Sequence, residues 1–298
     1  MTNPTIGLLS PGDMGHSIGG VLKTGGLEVL TCLAGRSERT RALASQSGFD
    51  DMATLDELVT RADIVLCVLV PSEAYGVAAQ VAAAVRATGA DILYVDCNAI
   101  APRTVEGIGE TILTAGARFA DVGIIGPPPR KPGTRFYASG PGAEELAGLI
   151  PFGLDVRVMG QEIGQASGLK MCYAALTKGL TALGTELLLA ARLMGLEEAL
   201  RAEQRESIPD VIDWVERALP PMAPKAYRWV GEMEEIAACF ADLGLTPSIL
   251  AGAADMYRLV AASPIGKESP ESRDQSRGAD GVVAALAEAL AEPVAAGR

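Results

Sequence analysis

Seven consecutive apolar residues, Ile64 to Val70, stand between Asp63 and Pro71. A strand with one wet face alternates polar and apolar side chains. A run without a polar member belongs to a strand covered on both faces, and helices supply that cover in a parallel sheet. The segments around it agree. Thr5–Leu9, Glu28–Ala34 and Ile92–Val95 read as further apolar strands. Helical stretches at Ser37–Gln46, Leu55–Arg61 and Ala74–Ala87 fall between them. Strand, helix and strand at this spacing make βαβ units and an α/β sheet. Short strands are expected near Phe119–Ile125, Arg135–Ser139 and Val156–Met159.

The pattern changes near Gly160. Gln165 to about Met194 reads as one proline-free helix, roughly 45 Å long at 1.5 Å per residue. Helices are expected at Glu197–Ala218, Tyr227–Gly244, Pro247–Ala262 and Gly281–Ala291, with Lys267–Asp280 as a surface loop. The 298 residues suit about two domains. The expected division is a nucleotide-type α/β domain at 1–160 and an all-helical domain for substrate and dimerisation at 161–298, joined through the long helix. The net charge of −12 repels phosphate backbones and argues against nucleic acid as a partner. No apolar run approaches the ~20 residues of a membrane span. No basic region precedes Ile6, so no signal peptide is expected. The five cysteines form no CxxC pair and read as buried thiols of a cytoplasmic protein. His16 is the one histidine, which excludes a multi-histidine metal site. It is expected to be a structural or partly exposed residue of the first helical turn, and no metal is expected.

After the first strand comes Ser10-Pro11-Gly12-Asp13-Met14-Gly15, then a helix. The dinucleotide fingerprint GxGxxG occupies this place in a Rossmann-type domain. Gly12 and Gly15 stand at its second and third glycines, with Ser10 at the first. Gly12 lets the backbone approach a pyrophosphate, and Gly15 lets helix and strand pack closely. The helix N-terminus, with the backbone of Asp13 and Met14, faces the phosphates. At the end of the second strand an acid would bind a ribose 2′-hydroxyl. Here the sequence is Ala34-Gly35-Arg36-Ser37. Arg36 can pair a 2′-phosphate and Ser37 can add a hydrogen bond, so NADP(H) is the expected cofactor.

Five ordered blocks carry a resemblance over residues 5–195. They are Gly7–Gly15, Gly35–Ser37, the Asp96-Cys97-Asn98 block ending at Pro102, Asp121–Pro127, and Gly164–Met171. Together they resemble the β-hydroxyacid dehydrogenase superfamily, which includes 6-phosphogluconate dehydrogenase, and within it a short branch with a poorly characterised helical C-terminal domain. The resemblance implies hydride transfer between a nicotinamide and a secondary alcohol or ketone carbon. It places Lys170 as the general acid/base on the substrate oxygen. It further assigns Val70, Pro71 and Asn98 to the cofactor, and Ile125 and Gly126 to the substrate.

The departures from the pattern concern the substrate. The family's asparagine four residues after the lysine is Ala174 here, and Tyr173 offers a hydroxyl instead. Ile125 replaces a serine that helps bind a substrate carboxylate. Lys178, two turns after Lys170, either holds an anionic substrate group or lines the cleft. Arg228, inside Lys225–Met233, suits an aromatic-lined pocket for an anionic or ring-bearing substrate, or a helix–helix or dimer interface. A homodimer and a small hydroxy-acid-like or aryl-bearing substrate are expected. Two alternatives stay open: an imine reductase, and an NADP-binding protein without turnover.

Overall fold

A computed structural model of the chain describes residues 3–130, 132–269 and 272–291. The strands are β1 (Ile6–Leu9), β2 (Val29–Thr31), β3 (Asp50–Asp51), β4 (Ile64–Cys67), β5 (Leu93–Asp96), β6 (Arg118–Ile125), β7 (Arg135–Ser139) and β8 (Asp155–Gly160). The helices among them are α1 (Asp13–Thr24), α2 (Glu38–Gln46), α3 (Leu55–Arg61), α4 (Pro71–Thr88), α5 (Pro102–Thr114) and the short α6 (Ala143–Leu146). Then follow α7 (Gln165–Leu193), α8 (Glu197–Ser207), α9 (Pro209–Met222), α10 (Ala226–Asp242), α11 (Ser248–Ala262) and α12 (Ala279–Ala291).

One eight-stranded sheet runs in the order β3-β2-β1-β4-β5-β6-β7-β8. Neighbours are parallel from β3 to β6; β7 runs antiparallel to β6, and β8 parallel to β7. The α/β sheet read from the sequence is therefore present, followed by helices alone. The run at 64–70 explains itself in two halves. Ile64 and Leu66 enter one apolar core with Ile6, Leu8, Leu93 and Val95. Val65 and Cys67 enter the other, with Leu9, Tyr94 and Phe119. The period of two thus puts apolar side chains into both cores. The strand stops at Cys67, short of Val70. Val70 is extended before Pro71, which opens α4, and its side chain is exposed; a residue before proline disfavours helix, and proline suits the first helical position.

Chain order reverses direction at β1, whose neighbours are β2 and β4. Ligands of open α/β sheets bind outside the carboxyl ends of strands at such a switch point. Ser10–Gly15 follows β1 directly, and Val68–Val70 follows β4.

The chain divides into two compact units between Met171 and Cys172. In the second, α10 packs on α11 through a core that includes Met233, Ile236, Tyr257 and Val260. The single helix expected over 197–218 is two helices. Ile208 leaves the helical region (φ −140°, ψ 49°) and Pro209 begins α9, because a proline inside a helix removes a hydrogen bond and crowds the preceding turn. The loop expected at 267–280 lies partly outside the described residues; within it Glu268 takes both Arg277 guanidinium hydrogen bonds at 2.8 Å. Four of the cysteines are buried, whereas Cys172 is exposed. No helix among the described residues is long and apolar enough to cross a membrane.

Candidate active site

The turn after β1 is built on a strained residue. Ser10 has φ 59° and is the one non-glycine residue in the left-handed region among the described residues. A side chain there costs roughly 1–2 kcal/mol. The Ser10 carbonyl accepts the Gly12 N–H at 2.7 Å, which closes the turn. Gly15 is held tightly: a Cβ on it would stand 3.1 Å from the Ser10 oxygen. Gly12 is the opposite case, since a Cβ there would meet no atom within 4 Å. No side chain caps α1, so its first N–H groups, including those of Asp13, Met14 and Gly15, have no partner within the helix. Open space over Gly12 and an uncapped helix end make a cradle for an anionic group.

Around this cradle the charges are arranged unevenly. Asp13 is paired with Arg39 at 2.6 Å, so its carboxylate and that arginine neutralise each other. Arg36 is half-buried, and no carboxylate among the described residues pairs with it. Gly35 takes φ 71° to make the turn before it. The Ser37 hydroxyl caps α2 by accepting the Thr40 N–H at 3.3 Å. Sequence reading missed one acid here: Asp51, on the two-residue β3, accepts the Leu33 N–H at 2.9 Å. His16 is half-buried; its Nδ1 contacts the Gly12 carbonyl at 3.3 Å and its Nε2 lies 3.4 Å from an Arg130 nitrogen.

Asn98, expected at the cofactor, is buried and committed internally. Its Oδ1 accepts the Leu69 N–H at 2.5 Å, and its Nδ2 donates to Asp96 at 2.9 Å. The side chain ties the end of β5 to the segment that leads into Val70 and Pro71. It therefore shapes the edge of the crevice.

Lys170 sits on α7 above β6. A Cβ on Gly123 would stand 3.2 Å from the Lys170 Cβ and 2.5 Å from the Ala166 oxygen, so only glycine permits this approach. Burial lowers the Lys170 amine below the usual lysine range, and Cys97, Asp96 and Asp121 oppose that shift. Asp96 is itself pushed up to about 6 by burial, against two hydrogen bonds from Asn98. Burial also pushes the Cys67 thiol up to about 12, so Cys67 is an unreactive thiol at neutral pH. Ile125 is buried at the end of β6, and Gly126 follows it, exposed, with φ 130°.

Ser10, Gly12, Asp13, Met14, Gly15, Arg36, Ser37, Val70, Pro71, Ile125, Gly126 and Lys170 all belong to the first unit. The remaining three candidates belong to the second unit. Tyr173 is about half exposed, and Arg228 is exposed. Lys178 is paired with Glu232, its ammonium lies 5.2 Å from the Trp229 ring centre, and its carbonyl accepts the Tyr257 hydroxyl at 2.6 Å. Trp229 meets Tyr257 edge-on at 5.2 Å. These contacts bind α7, α10 and α11 together. They involve Lys178 and two members of the 225–233 segment, Trp229 and Glu232.

Residues 5–143 match the NAD binding domain of 6-phosphogluconate dehydrogenase, and residues 191–260 match a domain of unknown function, DUF1932. An uncharacterised 28.5 kDa protein from Methanothermus fervidus is 33% identical over 195 residues, 65% of this chain and 74% of that relative. The chain belongs to the 6-phosphogluconate dehydrogenase-like family. Within this family's fold, the solved protein MTH1747, of unknown function and structurally similar to 3-hydroxyacid dehydrogenases, is 29% identical. That match has a TM-score of 0.69 and covers 86% of this chain and 97% of that one. A Mycobacterium tuberculosis 3-hydroxyisobutyrate dehydrogenase, solved with L-serine, is 18% identical at a TM-score of 0.72, covering 96% and 99%. The family's domain binds a nicotinamide dinucleotide, and the open turn at Gly12 fits its pyrophosphate.

Proposed function

We propose that the protein is an NADP(H)-dependent oxidoreductase acting on a secondary alcohol or the matching ketone, with Lys170 as the proton-transfer group. The carrying observation is half-buried Lys170 on α7, its Cβ packed against Gly123 of β6 and its amine under the charge of Asp96 and Asp121, at the sheet whose switch point carries the dinucleotide turn. With its pyrophosphate held by the turn at Gly12 and the start of α1, a nicotinamide dinucleotide would supply or accept the hydride. In the oxidative direction, neutral Lys170 takes the hydroxyl proton as the carbon gives up hydride; in reduction, its ammonium returns that proton to the oxygen. Burial supports both states by bringing the amine closer to neutral pH. Arg36 supports NADP(H) over NAD(H), because an unpaired guanidinium fits a 2′-phosphate. The buried Ile125 favours a substrate with an apolar group beside its acid, such as an aryl or branched hydroxy acid.

A homodimer is part of the same reading. On α7 the residues Tyr173, Leu176, Leu180, Leu183 and Leu187 recur at alternating spacings of three and four, the seam of a helix that pairs with another. Tyr173, Leu176 and Leu183 are 47%, 68% and 56% exposed.

The test is Lys170→Met, which keeps most of the apolar stem and removes the proton. Turnover on a panel of aryl and aliphatic hydroxy acids with NADP is expected to fall at least about 10²-fold, with NADPH affinity unchanged by fluorescence titration. Turnover near that of the parent would overturn the assignment. Cyclic imines in the same panel separate alcohol chemistry from C=N reduction, and a panel with no turnover at all would favour a binding protein.

A further inference from the structure

We propose that Asp121, together with Ser139 and Ser167, is the positioning residue for Lys170, fixing the first turn of α7 on β6 so that the amine is held at one place. Nothing in the sequence pattern assigns this acid a task, yet its carboxylate accepts four hydrogen bonds. Asp121 is fully buried. Its Oδ2 accepts the Gly164 N–H at 3.1 Å, the Ser167 N–H at 3.0 Å and the Ser139 hydroxyl at 3.2 Å. Its Oδ1 accepts the Ser167 hydroxyl at 2.7 Å. Ser139, paired with Asp121 across β6 and β7, accepts the Ala166 N–H at 3.0 Å. The backbone donors that a helix start leaves unpaired are thus taken up by a strand and its neighbour.

The geometry carries this hold on to the lysine. Asp121 and Gly123 are two apart on β6 and share a face. Ser167 and Lys170 are three apart on α7 and share a face. Ser167 is bonded to Asp121, and the Lys170 Cβ rests on Gly123. Two contacts, one polar and one steric, therefore fix both the rotation and the height of the helix above the strand. The carboxylate also supplies charge. A lysine in the first turns of a helix feels the positive end of the dipole, and a buried acid at that end offsets it. The titratable groups whose charge acts on Lys170 are Asp96 and Cys97 at the end of β5 and Asp121 on β6. On α5, the Glu106 carboxylate flanks Gly164.

The consequence for activity rests on Lys170 being the proton-transfer group, so the experiment reads the lysine itself as well as turnover. Competitive acetylation of the full-length protein across pH, followed by peptide mass spectrometry, gives the titration midpoint of Lys170 without any substrate. Asp121→Asn is expected to lower that midpoint by about one pH unit, because it removes a nearby negative charge. It is expected to lower kcat at least about tenfold, as small misplacement of a reacting group does, with NADPH affinity unchanged. Ser167→Ala keeps the charge, so the midpoint should stay and kcat should fall by about threefold or more. An unmoved midpoint in Asp121→Asn together with unchanged kcat in Ser167→Ala would overturn the proposal. If Asp121→Asn does not fold, Ser139→Ala combined with Ser167→Ala decides: lower kcat with an unmoved midpoint supports positioning, and unchanged kcat overturns it. Full turnover in Lys170→Met would instead remove the chemical reading of the lysine, while the acetylation midpoint would still report on Asp121.

Discussion

Two helices begin in the first unit at the same sheet, and their first turns are finished in opposite ways. The start of α1 is open: glycine at its N-cap, no side-chain cap, and empty space over Gly12. The start of α7 is closed, with Gly164, Ala166 and Ser167 bonded to Asp121 and Ser139. The same partial charge at a helix N-terminus is left for a ligand at α1 and neutralised from within at α7. An open end binds an anion from solution. A closed one is satisfied from within and, on the proposed reading, supports a lysine that carries and releases a proton.

Substitutions that exchange these two states should have graded effects. Gly12→Asp closes the open end with a charge. Gly12 has ordinary extended dihedrals (φ −74°), and aspartate is a good N-cap, so thermal stability should hold or rise slightly. NADPH affinity, measured by fluorescence titration, should fall at least about 100-fold through repulsion of the pyrophosphate. Asp121→Ala opens the closed end. It leaves buried donors unpaired, so urea unfolding should show a loss of about 2–4 kcal/mol. Arg36→Ala leaves both ends intact and removes a charge-assisted contact. It should weaken NADPH by roughly 1.5–3 kcal/mol and NADH far less; equal weakening would show that Arg36 does not meet a 2′-phosphate. The smallest effect belongs to Ser10→Gly, which relieves the left-handed strain at 59° and should raise stability by about 1 kcal/mol without changing cofactor affinity.

The open end was legible in the sequence and the closed end was not, for a physical reason. Gly12 and Gly15 lie within a few residues of β1, and local spacing shows what they do. Asp121 meets its partners 18, 43 and 46 residues away, so no window along the chain displays the network. One local signal existed: an acid inside the apolar run 119–125, which has to be bonded if the run is a buried strand. The sheet was readable because β1, β4, β5 and β6 are apolar runs. β3 escaped because its two residues are exposed aspartates, and α5 passed unnoticed. Pro209 after Ile208 carried the break between α8 and α9, which helical periodicity alone concealed. Lys178 is another long-range case. Its place on α7 left two readings, an anionic substrate group or the lining of a cleft, and its ion pair with Glu232, 54 residues on, was not visible along the chain.

The exposure of Cys172 has a practical consequence. The other four thiols are buried, so a maleimide dye applied to the folded protein should attach at a single position, two residues beyond Lys170 and next to Tyr173. The wild-type chain therefore carries its own spectroscopic handle. Its emission would follow the N-terminal third of α7 as cofactor and candidate substrates are added, in a titration that requires neither a known reaction nor an engineered label.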